Sequence, residues 1–254
     1  TTPSLEALEK YMSALRAVEG GEGGFSKGME LLEEAITIDS GFAMAYRKLA
    51  VELNNRGLEP ERVRTAIQQA YDHRERLSDS ERQLTIASYY SYGPTPDHAR
   101  VLAAYEAILA RDPDNTTALN NAAVEYLNRR EWARAESLVT RAIAVQPTAT
   151  VYFVNQAWAQ LQQRRVREAE QTYRQAVENI PRSPGVALIT GMTLELARGR
   201  IDDAIRVTDS VRAARPNEAD VQRDALYQLY ALSAAQGRLA DAVRYRRAAR
   251  DAAL

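Results

Sequence analysis

The chain holds 254 residues, no cysteine, and 33 basic against 34 acidic side chains, for a formal net charge of −1. That balance belongs to a globular protein and argues against a disordered segment or a polycation built for nucleic acid. Without cysteine there is no disulfide, no thiolate nucleophile and no cysteine-ligated metal, and no apolar run reaches the roughly 20 residues of a membrane-crossing helix.

Four proline tripeptides, ending at Asp114, Thr148, Arg182 and Asn217, place Pro113, Pro147, Pro181 and Pro216 at spacings of 34, 34 and 35 residues. A recurrence of this length is the mark of a stacked repeat array, and it divides the chain into seven segments of one array spanning residues 1–254. Segment 4–40 follows Thr1-Thr2-Pro3-Ser4, an opening with neither methionine nor a signal-like stretch, which reads as a fragment or processed product. It carries Ala14, Gly28 and Ala35, and its glycine-rich stretch Gly20 to Gly28 reads as a flexible turn between two helices. Segment 41–77 has Ala50 and Ala70, with Gly57 closing its first helix. In segment 78–114, Ser78 with Glu81 reads as a capping box, Ala87 is the small residue, and Thr95-Pro96 reads as a cap followed by a first-turn proline.

Segment 115–148 is the plainest. Its first helix runs from about Thr116 to Arg129, with Leu119, Ala122, Ala123, Tyr126 and Leu127 on one stripe. A polar turn at Arg130-Glu131 leads into a second helix bearing Trp132, Ala135, Leu138, Val139, Ala142 and Ile143, which Pro147 stops because proline has no amide proton to continue it. Segment 149–182 copies this with Phe153, Ala157, Leu161, Val166, Ala169, Tyr173, Ala176 and Val177. Segment 183–217 starts at Ser183-Pro184, again a cap and first-turn proline, and keeps Gly191, Ala204 and Val211 with one residue inserted. Segment 218–254 has a lengthened first helix, Glu218 to about Gln236, then Leu239, Ala242 and Ala249. Gly57, Gly199 and Gly237 fall where first helices end and a left-handed residue is wanted. No stretch alternates as a strand does.

These residues resemble the tetratricopeptide repeat (TPR) family, which keeps small side chains at three fixed positions and often a proline near the repeat end. Ala123, Ala135, Ala142 and Pro147 match in one segment; Ala157, Ala169, Ala176 and Pro181 match in the next. The resemblance covers the whole chain and is strongest between about 95 and 216. It implies an all-α, right-handed superhelical solenoid of about seven helix-turn-helix repeats, without catalytic activity or cofactor. The opening residues Thr2 to Leu8 and Phe42 to Tyr46 are similar to TPR regions of bacterial signalling proteins, where such regions follow a serine/threonine kinase or a transcriptional effector domain. The sequence leaves the compartment open: cytoplasmic, or extracytoplasmic if the parent is a membrane-spanning kinase.

Catalytic chemistry finds little footing. His73 and His98 lie 25 residues apart, without helical zinc spacing, and read as exposed imidazoles. No serine sits in a nucleophile-elbow context. The glycine stretch has Ser26 before Lys27 where a phosphate loop needs glycine, and it follows a helix rather than a strand.

In TPR proteins the first helices line a concave side that receives a peptide or partner helix. The resemblance therefore implies partner contacts at Arg47, Lys48, Asn54 and Asn55, at Thr117, Asn120, Asn121, Val124 and Asn128, and at Val154, Asn155, Trp158 and Gln162. Asn121 and Asn155 recur one repeat apart, and an amide offers both a donor and an acceptor to a peptide main chain. Trp158 would supply an amphipathic anchor. The five-residue arrangement by which one TPR subclass grips a chain terminus is missing: Arg47 matches, but Val51 and Thr85 stand where others are needed. Two rival readings remain. Arg129-Arg130, Arg164-Arg165, Arg167, Arg198, Arg200 and Arg238 would form a ridge for an acidic partner or, less favoured, nucleic acid, although Glu131, Glu168, Asp202 and Asp203 interleave it. Self-assembly into a homo-oligomer through terminal repeats would use Val243, Ala249 and Ala252.

Overall fold

The computed structural model describes residues 2–19, 24–180, 183 and 186–251, and among them every regular element is helical and no strand occurs. Contacts group the chain into two compact units, residues 1–125 and 126–254. Gly20 to Gly23, Pro181, Arg182, Pro184 and Ala252, which the sequence reading invoked, lie outside the described residues.

The first unit comprises α1 (Leu5–Glu19), α2 (Gly24–Ile38), α3 (Ala43–Asn55), α4 (Pro60–Asp72), a tight turn at Arg74–Arg76, α5 (Asp79–Tyr92) and α6 (His98–Leu109). It also holds most of α7 (Thr116–Asn128), whose last residues belong to the second unit. Helices pair as α1 with α2, α3 with α4 and α5 with α6, and each pair packs on the next. The pairing follows from spacing. Ala7, Tyr11 and Ala14 on α1, and Leu49, Ala50 and Leu53 on α3, fall at helical intervals and join Leu32, Ala35, Ile67 and Ala70 in one core. Full burial of each large side chain contributes about 1.5–3 kcal/mol. Asp39, just past α2, accepts two hydrogen bonds from Arg76 at 3.1 and 2.8 Å and so ties the first hairpin to the end of the second.

Two local expectations change here. The later part of the glycine stretch is not a turn, because Gly24 to Gly28 form the first turn and a half of α2. A Cβ at Gly24 would collide with the Ala17 carbonyl, and one at Gly28 with Val18. Glycine therefore allows α1 and α2 to touch rather than loosening them. The α6 cap is Asp97, whose carboxylate accepts the amides of Ala99 and Arg100 at 3.0 and 3.1 Å, and not Thr95. A carboxylate next to the first turn outcompetes a hydroxyl two residues earlier. The Ser78–Glu81 capping box forms as expected.

The second unit holds α8 (Trp132–Val145), α9 (Thr150–Gln162), α10 (Val166–Asn179), a wide-turn segment (Val186–Gly191), α11 (Met192–Ala197), α12 (Ile201–Ala213), α13 (Ala219–Ala235) and α14 (Leu239–Asp251). The residue inserted in this part of the sequence is absorbed by the wide turns. One extra residue in a helix is accommodated by switching from i+4 to i+5 hydrogen bonding. Ala135, Ala142, Ala169, Ala176 and Ala204 have no exposed surface and Ala157 has 2%, so methyl groups occupy the helix contacts.

Five first helices end in the same left-handed turn. Gly57, Arg130, Arg164, Gly199 and Gly237 have φ of 65°, 61°, 59°, 74° and 72°. In all five, the following residue's amide bonds back five residues: Leu58 to Leu53, Glu131 to Tyr126, Arg165 to Gln160, Arg200 to Glu195 and Arg238 to Ser233. The three glycines were legible as such. The two arginines adopt the same shape without glycine's freedom.

Candidate partner-binding site

In the first unit, Arg47 and Lys48 are half-buried on α3, while Asn54 and Asn55 are exposed at its end. Lys48 is committed to Glu52, 2.6 Å away. On α7, Thr117 is exposed and Val124 is 36% exposed. Asn120 and Asn121 are half-buried, and the Asn120 amide donates to the Asn121 carbonyl at 3.2 Å. Burial pushes the Tyr105 phenol up to about 12, and the Asn121 amide beside it pulls the other way. Asn121 is thus braced within the protein.

In the second unit, Asn128 and Gln162 are exposed and Val154 and Asn155 are half-buried. Trp158 on α9 shows 45% of its surface to solvent. Its side chain is thus about half open to solvent and half covered. On the opposite side of α9, Gln160 is buried and reaches Glu136 of α8 at 3.0 Å; Gln163 does so at 3.1 Å, and Arg165 at 2.5 Å. Thr172 of α10 donates to Gln160 at 2.9 Å. One carboxylate thereby gathers three donors from the neighbouring repeat. This network was not read from sequence, since none of its members stands out by type or spacing.

The interhelical arginines are largely neutralised. Arg129 meets Glu131 at 2.8 Å, Arg198 meets Glu170 at 2.9 Å and Glu195 at 2.8 Å, Arg200 meets Glu195 at 2.6 Å, and Arg238 meets Asp202 at 3.0 Å. Arg165 holds both Glu136 and Glu168. His98 is exposed but hydrogen-bonds the buried Glu125, and His73, the residue that closes α4, is half-buried rather than exposed. Among the described residues no group of three His, Asp or Glu could hold a metal ion, and no helix is long and apolar enough to cross a membrane.

Tyrosines carry an unexpected share of the first unit. Tyr71 stacks on Tyr89 at 4.0 Å, Tyr90 meets both edge-on at 6.1 and 5.1 Å, and Arg74 and Arg100 cover the outer rings of Tyr71 and Tyr90. The chain's 13 tyrosines against 3 phenylalanines were the available signal, because a protein needing only apolar rings has no use for so many hydroxyls.

The tetratricopeptide-repeat family model matches residues 121–184 and 154–219. No curated protein sequence matches the chain. Among solved structures, PilW, described as a widely conserved type IV pilus biogenesis factor, superposes with TM-score 0.61 at 16% identity, covering 86% of this chain and 98% of that one. A tetratricopeptide repeat protein from Parabacteroides merdae gives TM-score 0.61 at 13% identity, with 99% and 94% covered. Yeast Tom70 gives 0.64 at 12% identity, covering 98% of this chain and 61% of its own. At these identities the likeness is one of fold. The family match, the buried small residues and the repeated helical hairpins agree: residues 121–219 match the tetratricopeptide-repeat family, and the fold is that of tetratricopeptide-repeat proteins.

Proposed function

We propose that the chain is a non-catalytic protein-interaction module that takes an extended peptide or partner helix on the exposed faces of its first helices. Tetratricopeptide repeats generally mediate contacts between proteins. The contacts are Arg47, Lys48, Asn54, Asn120, Asn121 and Val124 in the first unit, and Asn128, Asn155, Trp158 and Gln162 in the second. One observation carries the reading: the half-exposed indole of Trp158, with Asn155 and Gln162 within one turn of it on α9. An indole held in water is a loss unless a partner covers it, and tryptophan is enriched where binding energy concentrates. Within a signalling parent, such a surface would dock a partner for the effector domain.

The test is selection of binders from a random peptide library on the full chain, followed by calorimetry on Trp158→Ala and on Asn121→Ala with Asn155→Ala. Trp158→Ala should cost about 2 kcal/mol of binding with an unchanged melting curve. Undiminished binding in both variants would remove this face from the site. A second reading is favoured by α1, where Leu5, Leu8 and Met12 are 70%, 39% and 44% exposed on one side. An apolar stripe of this kind is a surface for self-association. Sedimentation across a concentration series separates the two, since only self-association makes the mass depend on concentration.

A further inference from the structure

Arg47 allows the partner's chemistry to be named. Other arginines of the first unit hold carboxylates: Arg62 with Glu59, Arg76 with Asp39, Arg82 with Asp79, Arg100 with Asp97 and Arg111 with Asp79. Arg47 has none among the described residues. Its Nε is buried and makes no hydrogen bond, and the Tyr92 hydroxyl is likewise buried without a partner. Ser88 stands beside that hydroxyl and opposes the upward push of burial on the phenol, but outside normal hydrogen-bond geometry. The Arg47 side chain as a whole is only partly buried, so the guanidinium is not sealed off.

Tyrosines from three helices surround this cation. Burial pushes the phenols of Tyr11, Tyr92 and Tyr105 upward, the latter two to about 12, and in each the Arg47 charge pulls the other way. The nearby carboxylates are already engaged. Glu125 is hydrogen-bonded to His98, Glu52 pairs with Lys48, and Glu81 is closed into the capping box with Ser78. One positive charge and two buried polar groups are therefore left over on one patch. A buried polar atom without a partner is costly, and native proteins leave few of them.

We infer that Arg47, with the Tyr92 hydroxyl, receives the side-chain carboxylate of an aspartate or glutamate in the bound partner segment, a refinement that rests on the peptide-binding reading above. The guanidinium fork fits a carboxylate's two oxygens, and a phenol adds one further donor. A single cation balances a monoanionic carboxylate but leaves a phosphate dianion half-compensated. A chain terminus is the weaker match, because Val51 and Thr85 supply none of the amide and cationic groups that grip one, and Thr85 is fully buried.

The experiment selects binders on the full chain from random peptides amidated at the C terminus, in parallel on wild type and Arg47→Gln. Wild type should enrich acidic residues at one peptide position and Arg47→Gln should not, while both still yield binders. In a selected peptide, exchanging that glutamate for glutamine should weaken wild-type binding about tenfold, the effect of losing a charge-assisted hydrogen bond. The same exchange should leave Arg47→Gln indifferent. Binders without acidic enrichment, or equal enrichment in both proteins, overturn this inference while the binding reading stands. Absence of any binder overturns the binding reading and this inference with it. Peptides with a free C-terminal carboxylate and inorganic phosphate serve as competitors, and displacement by either at lower concentration than by the glutamate peptide also overturns the assignment. Should Arg47→Gln fail to fold, Tyr92→Phe, which removes one hydroxyl only, carries the same comparison with a smaller expected loss.

Discussion

Replacing Ala135 with leucine tests the packing on which the repeat architecture depends. Ala135 lies on α8 with no exposed surface, and Ala169 and Ala204 hold the corresponding places on α10 and α12. Leucine adds three carbons. If room existed, their burial would contribute about 0.8 kcal/mol per carbon; interiors packed at crystal density offer none, and overfilling costs about 1–3 kcal/mol. Val139, Ala142 and Ile143 are buried on the same face of α8, so the new side chain has no solvent edge to swing toward. The net cost is expected near 2 kcal/mol, which lowers Tm by about 4–8 °C for a chain of this size. The control is Ala133→Leu on the same helix, where the alanine is exposed and leucine is about as good a helix former, within a few tenths of a kcal/mol. Circular-dichroism melts of the two variants and the parent decide the matter. Equal Tm values for both variants, or a higher one for Ala135→Leu, would mean that the alanine contact is loose and that small residues do not set the helix approach.

Acid should weaken the first unit through Asp39. Burial alone would raise this carboxyl, but hydrogen bonds from Arg76, Thr2 and the Gly41 amide overcome it and hold the group near 2 against an ordinary value of 3.8. The folded state thus binds this proton less readily than the unfolded one, so the contribution is complete above pH 4, about 1–2 kcal/mol, and is lost as pH falls from about 4 to 2. Urea denaturation of Asp39→Asn should show its stability deficit at pH 7 shrinking toward pH 2, and a deficit independent of pH would contradict the pairing. The left-handed turns predict opposite signs for paired exchanges. Gly237→Ala should cost about 1 kcal/mol, and Arg164→Gly should gain about 0.5 kcal/mol, because a Cβ is disfavoured in that conformation and glycine is not. The same chemical denaturation measures both, and two changes of equal sign would show that the turn conformation is not what governs them.

Helices, turns and caps were legible because their causes are local. The stripe from Leu119 to Leu127, the capping box at Ser78 and the glycines at 57, 199 and 237 each follow from neighbours within one helical turn, and the recurrence of small residues every 34 or 35 positions exposes the repeat. Where local signals competed, the sequence was ambiguous: Asp97 displaced Thr95 as a cap, and Gly24 to Gly28 proved helical because α1 presses on them. The binding faces were only partly visible. Trp158 and the asparagines could be placed on first helices by position. Their exposure and their engagement could not, since these depend on groups such as Tyr105 that are remote in the chain.

By itself, then, the order of residues determined an all-helical repeat, its period and the three left-handed turns that glycine marks, since each rests on contacts between residues only a few positions apart. Tertiary packing alone decided that an inserted residue is absorbed as wide turns at Val186–Gly191, that Glu136 gathers three donors from the next repeat, and that Arg47 stands without a carboxylate among tyrosines 36, 45 and 58 residues away. Such arrangements depend on which hairpin lies against which, and no pattern of spacing within a single helix encodes that.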